Sequence, residues 1–324
     1  MKQLNICILG GTGFVGTHLV SRLVQEGHHV RVLTRHRERH RRLLVLPTVE
    51  IVQCNIHDGY YLSKYFAQQD VIINLIGILN ESGRKGKGFQ LAHVQLAQKI
   101  VQACENNHIR RLLHMSALNA DANTQVSHYL HSKGQAEDLL HVVKHLDVTS
   151  FRPSVIFGPG DSFFNRFHKL LQLSPFVLPL ACPEARFAPV FVDDVVEAIV
   201  HCLHDSRTID QRYDLCGPHE YTLKQLVEYA AKFIDYKRRI LPLNPALSRL
   251  QANIMEYMPG KPFSRDNFRS LQVDSVCTGP FPPIFNIKPH RVEEIVPLYL
   301  GKHAYRDRYA QYRASALQYL RQRQ

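Results

Sequence analysis

The chain has 324 residues, 45% of them hydrophobic and 21% charged, with a formal net charge of +12. That usage matches ordinary globular proteins and excludes a disordered polar chain. No run approaches the ~18 consecutive apolar residues of a membrane span, and the most apolar region, PFVLPLACP, is broken by Pro175, Pro179 and Pro183.

Residues 4–16, LNICILGGTGFVG, are an apolar run that ends at Gly10 and opens a glycine turn at Gly10, Gly13 and Gly16. An amphipathic stretch follows and ends at Gly27. This order predicts a strand, a phosphate-holding turn and a helix. The first glycine permits the tight turn, the second lets a pyrophosphate approach the backbone, and the third lets helix and strand pack closely. Unpaired N–H groups and the dipole at the helix N-terminus favour an anion there. The strand begins so near Met1 that no leader is expected before it, which points to a cytoplasmic protein.

Further β-rich runs follow at 30–34, 49–54, 70–77 and 110–116, separated by helical patterns such as 89–106. The alternation predicts right-handed crossovers and a parallel sheet covered on both faces, the doubly wound α/β nucleotide-binding fold. Residues 147–158 read as one more buried strand. The expected organisation is a nucleotide-binding domain over 1–160 and a smaller substrate-side lobe over 161–324, interleaved with the sheet.

At the end of the second strand an acidic residue would bind ribose hydroxyls, whereas arginine accepts a 2′-phosphate. The residues there are Thr34, Arg35, His36 and Arg37. NADP(H) is therefore expected over NAD(H), with Arg35 as the phosphate ligand; for Arg37 to Arg42 a solvated loop is the equal alternative.

Tyr129 and Lys133 stand one helical turn apart, thirteen residues beyond Ser116 at the end of the fifth strand, where a nicotinamide ring would lie. Two other Tyr–Lys pairs share the spacing. Tyr257 and Lys261 flank the helix breakers Pro259 and Gly260, and Tyr60 with Lys64 follows the third strand, on the adenine side. In the well-placed trio an ammonium would stabilise a phenolate, Tyr129 would exchange a proton with substrate, Ser116 would hold the substrate oxygen and Lys133 could also bind the nicotinamide ribose. The loop ESGRKGKGF (81–89) lacks the spacing of a phosphate loop, and a mobile lid is expected.

Seven cysteines are scattered singly without a CxxC pair, so reduced thiols are expected and structural zinc is not. The close histidine pairs His128/His131 and His141/His145 lack a third ligand, and no metal is expected.

In the order GGTGFVG, NLIG, HMSALNA, YLHSK, RPSVIFGPGD and PVFVDDVVEAI, these motifs resemble the extended or atypical branch of the short-chain dehydrogenase/reductase superfamily. SALNAD, YLHSK, FGPGDSFFNRF and YDLCGPHEYTLKQLVEYAA resemble, more narrowly, the group containing the NADPH-binding accessory subunit of respiratory complex I and its bacterial relatives. The resemblance covers about residues 4–300. It implies a Rossmann fold with a cofactor loop of Gly10, Thr12, Gly13, Phe14, Val15 and Gly16, and an adenosine corner at Arg35. Asn55 and Ile56 would lie at the adenine, Leu75, Ile76 and Gly77 along the cofactor's middle, and Pro153 on the nicotinamide side. Asn55 stands where the superfamily usually has an acidic residue.

Two functional classes follow: an NADP(H)-dependent oxidoreductase or epimerase/dehydratase-like enzyme of unknown substrate using Tyr129, or a non-catalytic nucleotide-loaded accessory protein. The basic runs 35–42 and 303–324 carry much of the charge, and the second places Tyr305, Tyr309, Tyr312 and Tyr319 at helical spacing. That tail is expected either to dock on its own domain or to meet an anionic membrane surface or a respiratory complex. Nucleic acid is not an expected partner.

Overall fold

A computed structural model describes residues 2–300 apart from 82, 84, 175, 235–237, 259 and 260. The tyrosine-rich basic tail and the helix breakers Pro259 and Gly260 lie outside the described residues. Seven strands form one parallel sheet: β1 Asn5–Leu9, β2 His29–Thr34, β3 Val49–Gln53, β4 Val71–Asn74, β5 Arg111–Met115, β6 Asp147–Pro153 and β7 Gln211–Leu215. Their order is β7-β6-β5-β4-β1-β2-β3, and every neighbouring pair is parallel. The order reverses between β1 and β4, and the carboxyl ends of those two strands therefore border the crevice where such sheets bind ligands.

The strands are apolar on both sides because both faces are covered. In β1, Ile6 and Ile8 belong to one core and Cys7 and Leu9 to the other. Helix α1 (Phe14–Gln25) packs on the first face beside the later helix Val192–His201, through Leu19, Leu23, Val195 and Ile199. The second face is covered by α2 (Gly59–Phe66), α3 (Leu96–Asn106) and α4 (His128–His141). β7 arrives from beyond residue 160 and adds to the edge of the sheet beside β6, with Leu215 opposite Pro153.

Four expectations need correction. The run 70–77 is strand only to Asn74, because the Asn74 side chain accepts from Ile76 N–H and turns the chain out of the ladder. The run 147–158 is two strands: β6 ends at Pro153, and Ile156–Phe157 pairs separately with Val190–Phe191. The amphipathic stretch 89–106 opens with a π-helical segment, Gln90–Gln95, before α3. The loop 81–89 is tethered rather than free: the Glu81 carboxylate accepts from Gly86 and Gly88 N–H, and Lys261 Nζ donates to the carbonyls of Glu81 and Gly83.

The cysteines are a fifth correction, because Cys216 and Cys277 are joined as a disulfide while Cys7, Cys54, Cys104, Cys182 and Cys202 are free. The partners are 61 residues apart in sequence. They meet because the segment 274–277 runs alongside Arg186–Ala188: Ser275 N–H donates to Arg186 O, and Ala188 N–H donates to Ser275 O. Denatured without reductant, the chain is expected to titrate five thiols, and seven after reduction. Cys277→Ser should lower the unfolding free energy by about 3–4 kcal/mol, read by urea titration without reductant, since the crosslink closes a long loop.

Candidate functional site

Between β1 and α1 the backbone is drawn tight. Gly10 has φ +82°, and a Cβ on it would lie 3.1 Å from the Leu75 carbonyl carbon. A Cβ on Gly16 would lie 2.3 Å from Gly10 O and 2.6 Å from Gly11 Cα, a position that only glycine fills. Gly13 caps α1 with no side-chain hydrogen bond, and the first turn holds no acidic residue. The amino end of α1 is thus an open set of N–H groups beside the crevice, suited to a pyrophosphate. Phe14 and Val15 are half-buried against the first core and Thr12 is half-buried in the turn, so the predicted loop residues are contiguous.

Across the crevice from Gly10 lie Leu75 and Ile76, and a Cβ on Gly77 would meet Lys133 Nζ at 3.2 Å. Lys133 is buried, and its Nζ donates to Ile76 O at 3.1 Å and to Met115 O at 2.8 Å. One ammonium therefore ties the chain leaving β4 to the end of β5. Burial lowers the Lys133 pKa to about 8, with Glu137 opposing that shift. Ser116 follows Met115; its N–H donates to Phe151 O, while its buried Oγ has no protein partner. Tyr129, one turn before Lys133, is half-buried with its ring edge-on to Phe89 and His93, and burial raises its phenol to about 12.

The structure thus brings Gly10, Leu75, Ile76, Gly77, Lys133 and Ser116 into one continuous wall. Arg35 and Asn55 lie apart from it, exposed beyond the ends of β2 and β3, which Cys54 N–H to Thr34 O joins. Arg35 has no ion pair among the described residues. Ile56 is buried beneath that corner. Pro153 ends β6, and its carbonyl accepts from Leu118 N–H, two residues beyond Ser116.

Several supporting residues were not anticipated. His93, on the π-helical segment, accepts from Ile78 N–H at Nε2, which leaves Nδ1 to donate to Ser132 Oγ; Ser132 in turn donates to Tyr129 O. Burial, with Lys133 and His114 adding to it, drives the His93 pKa down to about 2, so this relay is neutral. Asn74 Nδ2 donates to His114 Nδ1 across the β4–β5 ladder, and His114 Nε2 is buried without a partner. Polar residues closing the apolar runs VIIN and RLLHM were the signal available for this pair. Asp266 caps α4 from a distant part of the chain: its carboxylate accepts from His128 N–H at 2.8 Å, Tyr129 N–H at 3.1 Å and Ser127 Oγ at 2.8 Å. No sequence-local signal could have identified it, because the cap lies 137 residues from Tyr129.

Fully buried Glu137, one turn after Lys133, is paired with Arg152 and Arg212 at 2.7 Å each. Among the described residues no group of three or more His, Cys, Asp or Glu could hold a metal, and no helix is long and apolar enough to cross a membrane.

Residues 6–216 match the family model described as the NAD dependent epimerase/dehydratase family. The 40 kDa subunit of NADH-ubiquinone oxidoreductase from Neurospora crassa is 28% identical over 72% of this chain and 60% of its own length. The match thus spans less than two thirds of that relative. A ceramide reductase from Caulobacter vibrioides is 31% identical over 74% of this chain and 73% of its own. Among solved structures, Pal from Bacillus thuringiensis superposes with a TM-score of 0.72 at 16% identity, over 94% of this chain and 99% of that one, a likeness of fold.

Between about pH 8 and the 10.5 of a free lysine, the unfolded chain holds a proton at Lys133 that the folded chain has released, so this residue makes stability rise with pH there. The difference in unfolding free energy, wild type minus Lys133→Met, is expected to grow by about 3 kcal/mol across that window in urea titrations.

Proposed function

The chain belongs to the NAD dependent epimerase/dehydratase family, within the extended short-chain dehydrogenases/reductases, and on that premise we propose that it is an NADP(H)-dependent oxidoreductase in which Tyr129 is the proton-transfer group. The observation that carries this reading is the convergence at the carboxyl ends of β4 and β5. Lys133 Nζ is held there by Ile76 O and Met115 O, Ser116 Oγ lies buried without a partner, and Tyr129 stands one turn away.

The residues present fit a nicotinamide dinucleotide. The close packing of turn against helix that only glycine permits at Gly16 holds the α1 amino end at the crevice, and that uncapped end suits its pyrophosphate. Exposed Arg35, with no carboxylate partner among the described residues, suits a 2′-phosphate, and the neutral amide of Asn55 adds no charge to repel one. When bound, the cofactor supplies or accepts hydride. Ser116 Oγ would donate to the substrate oxygen and Tyr129 would give or take its proton. Lys133, held to its two carbonyls, would lower the phenol from its raised value by placing positive charge beside it. The neutral His93–Ser132 relay orients the Tyr129 turn without adding charge. The substrate class most compatible with the relatives is a carbonyl or alcohol on an apolar molecule, as the name of the Caulobacter relative suggests.

A second reading, a nucleotide held for structure as part of a respiratory assembly, draws on the Neurospora relative and on two features of the site. The Lys133 ammonium is already engaged by main-chain carbonyls, and the Tyr129 phenol is raised rather than lowered.

Calorimetry with NADPH and NADH decides the cofactor: Arg35→Ala is expected to weaken NADPH about 10- to 100-fold and NADH less than 3-fold, as loss of a charge-assisted phosphate contact implies. Equal losses for the two would remove the NADP(H) assignment. Tyr129→Phe should leave NADPH affinity within about 3-fold and cut turnover of a screened carbonyl substrate at least 100-fold. Turnover unchanged by that substitution would sink the catalytic assignment, and bound NADPH with no turnover across the screen would favour the second reading.

A further inference from the structure

Two helices from the later part of the chain, α5 (Pro245–Met255) and α6 (Arg265–Ser270), border one cleft. The buried side of α5 is Ser248 and Ala252, each 1% exposed, while Leu247 and Leu250 are exposed. Arg249, Ala252 and Asn253 stand at i, i+3 and i+4 along one edge of that buried side, and Arg265, Phe268 and Arg269 repeat the spacing on α6. These six residues line a cleft of ≈ 500 Å³, a size that admits a small ligand. Buried Ala252 and Phe268 give it an apolar floor, and every charged side chain on its wall is an arginine.

The acids nearest in sequence leave those arginines undercompensated. Glu256, just past the end of α5, pairs with Arg265 at Nε, 3.2 Å away. Asp266 lies off the cleft face of α6, and its carboxylate accepts from His128 and Tyr129 N–H instead. The Arg249 guanidinium is seated over the Phe268 ring, 5.8 Å from its centroid, a stacking that fixes its plane and leaves its edge donors available. Neither Arg249 nor Arg269 has an ion pair or a side-chain hydrogen bond among the described residues. Arg265 and Arg269 are also like charges one helical turn apart, which repel. The wall therefore presents two unmatched positive charges and the Asn253 amide to one space. A phosphate monoester carries close to two negative charges at neutral pH and three acceptor oxygens, and guanidinium forks match it; a carboxylate brings one charge and two oxygens.

We propose that the cleft between α5 and α6 binds the phosphate group of a phosphate monoester, with Arg249 and Arg269 as its charged ligands and Asn253 as a neutral donor. The site shares no residue with the Gly10–Gly16 turn and does not depend on turnover. It adjoins the Tyr129 helix, because Arg265 and Arg269 also line a smaller cavity that reaches Phe89 and His128, the neighbours of Tyr129.

The test is calorimetry of the full chain at constant ionic strength with glycerol phosphate, dihexanoylphosphatidate and acetate. Both phosphate esters are expected to bind at least ten-fold more tightly than acetate. The double variant R249Q/R269Q should lose at least ten-fold of that binding, while Arg35→Ala, altered at the adenosine corner, stays within two-fold of wild type. Arg269→Lys keeps the charge and loses the fork, so it should weaken binding at least three-fold even where the double variant fails to fold. A ten-fold preference for dihexanoylphosphatidate assigns the phosphate to a lipid headgroup, and equal affinities assign it to a soluble ester. Wild-type binding by the double variant, acetate bound as tightly as the esters, no binding of either ester at millimolar concentration, or a loss at Arg35→Ala as large as that of R249Q/R269Q would each overturn the proposal.

Discussion

A buried ammonium at the carboxyl ends of two inner strands organises this protein. Lys133 lies beneath the crevice with its charge shared between Ile76 O and Met115 O. A lysine taken out of water without partners is strongly disfavoured, so its position obliges β4 and β5 to present main-chain oxygens to it. The Asn74 turn frees the first of these carbonyls from the ladder, and the end of β5 at Met115 frees the second. The same requirement places Gly77 against Nζ, where a side chain would crowd it at 3.2 Å. The candidate site is thus a property of where two strands stop.

Around that charge the structure arranges neutrality above and compensation below. His93 and His114, both buried near Lys133, are held below their ordinary range by burial first and by the ammonium second. Glu137, on the following turn of α4, is an opposing charge that acts on Lys133, yet it is shared by Arg152 and Arg212. Its pull on Lys133 opposes the burial shift without overcoming it. The helix itself is oriented from the far end of the chain: Asp266 satisfies the N–H groups of His128 and Tyr129, which the first turn of any helix leaves unpaired. The Glu81 loop is tied down by Lys261, so the segment 261–266 holds both that loop and the amino end of α4 through charge-assisted contacts.

Much of the sheet was legible. Alternating β-rich and amphipathic runs located six strands, and the strand–glycine–helix order at Gly10 to Gly16 located the loop, because that loop's constraint is local and steric. The ends of β4 and β6 were misread, since an apolar run continues after the ladder stops; only the Asn74 side chain and the break after Pro153 end the pairing. The disulfide was missed for the opposite reason. Sixty-one residues separate Cys216 from Cys277, and no spacing rule links cysteines that meet only because a loop crosses beside β7. The loop 81–89, expected as a mobile lid once its spacing excludes a phosphate loop, is tethered, and the restraint comes from Lys261, nearly 180 residues away.

By itself the sequence determined what depends on near neighbours: a parallel sheet covered on both faces, a glycine turn suited to phosphate, and a Tyr–Lys pair on one face of a helix after the fifth strand. Those follow from periodicities of two and about 3.6 residues and from the steric demands of glycine. Only the tertiary structure decided the environment of those groups: burial of Lys133 and its two carbonyls, the neutral His93 relay, the distant Asp266 cap, and the helix that exposes leucines while burying Ser248 and Ala252. Electrostatic environment depends on which distant segments exclude water from a group, and that is settled when the chain closes on itself.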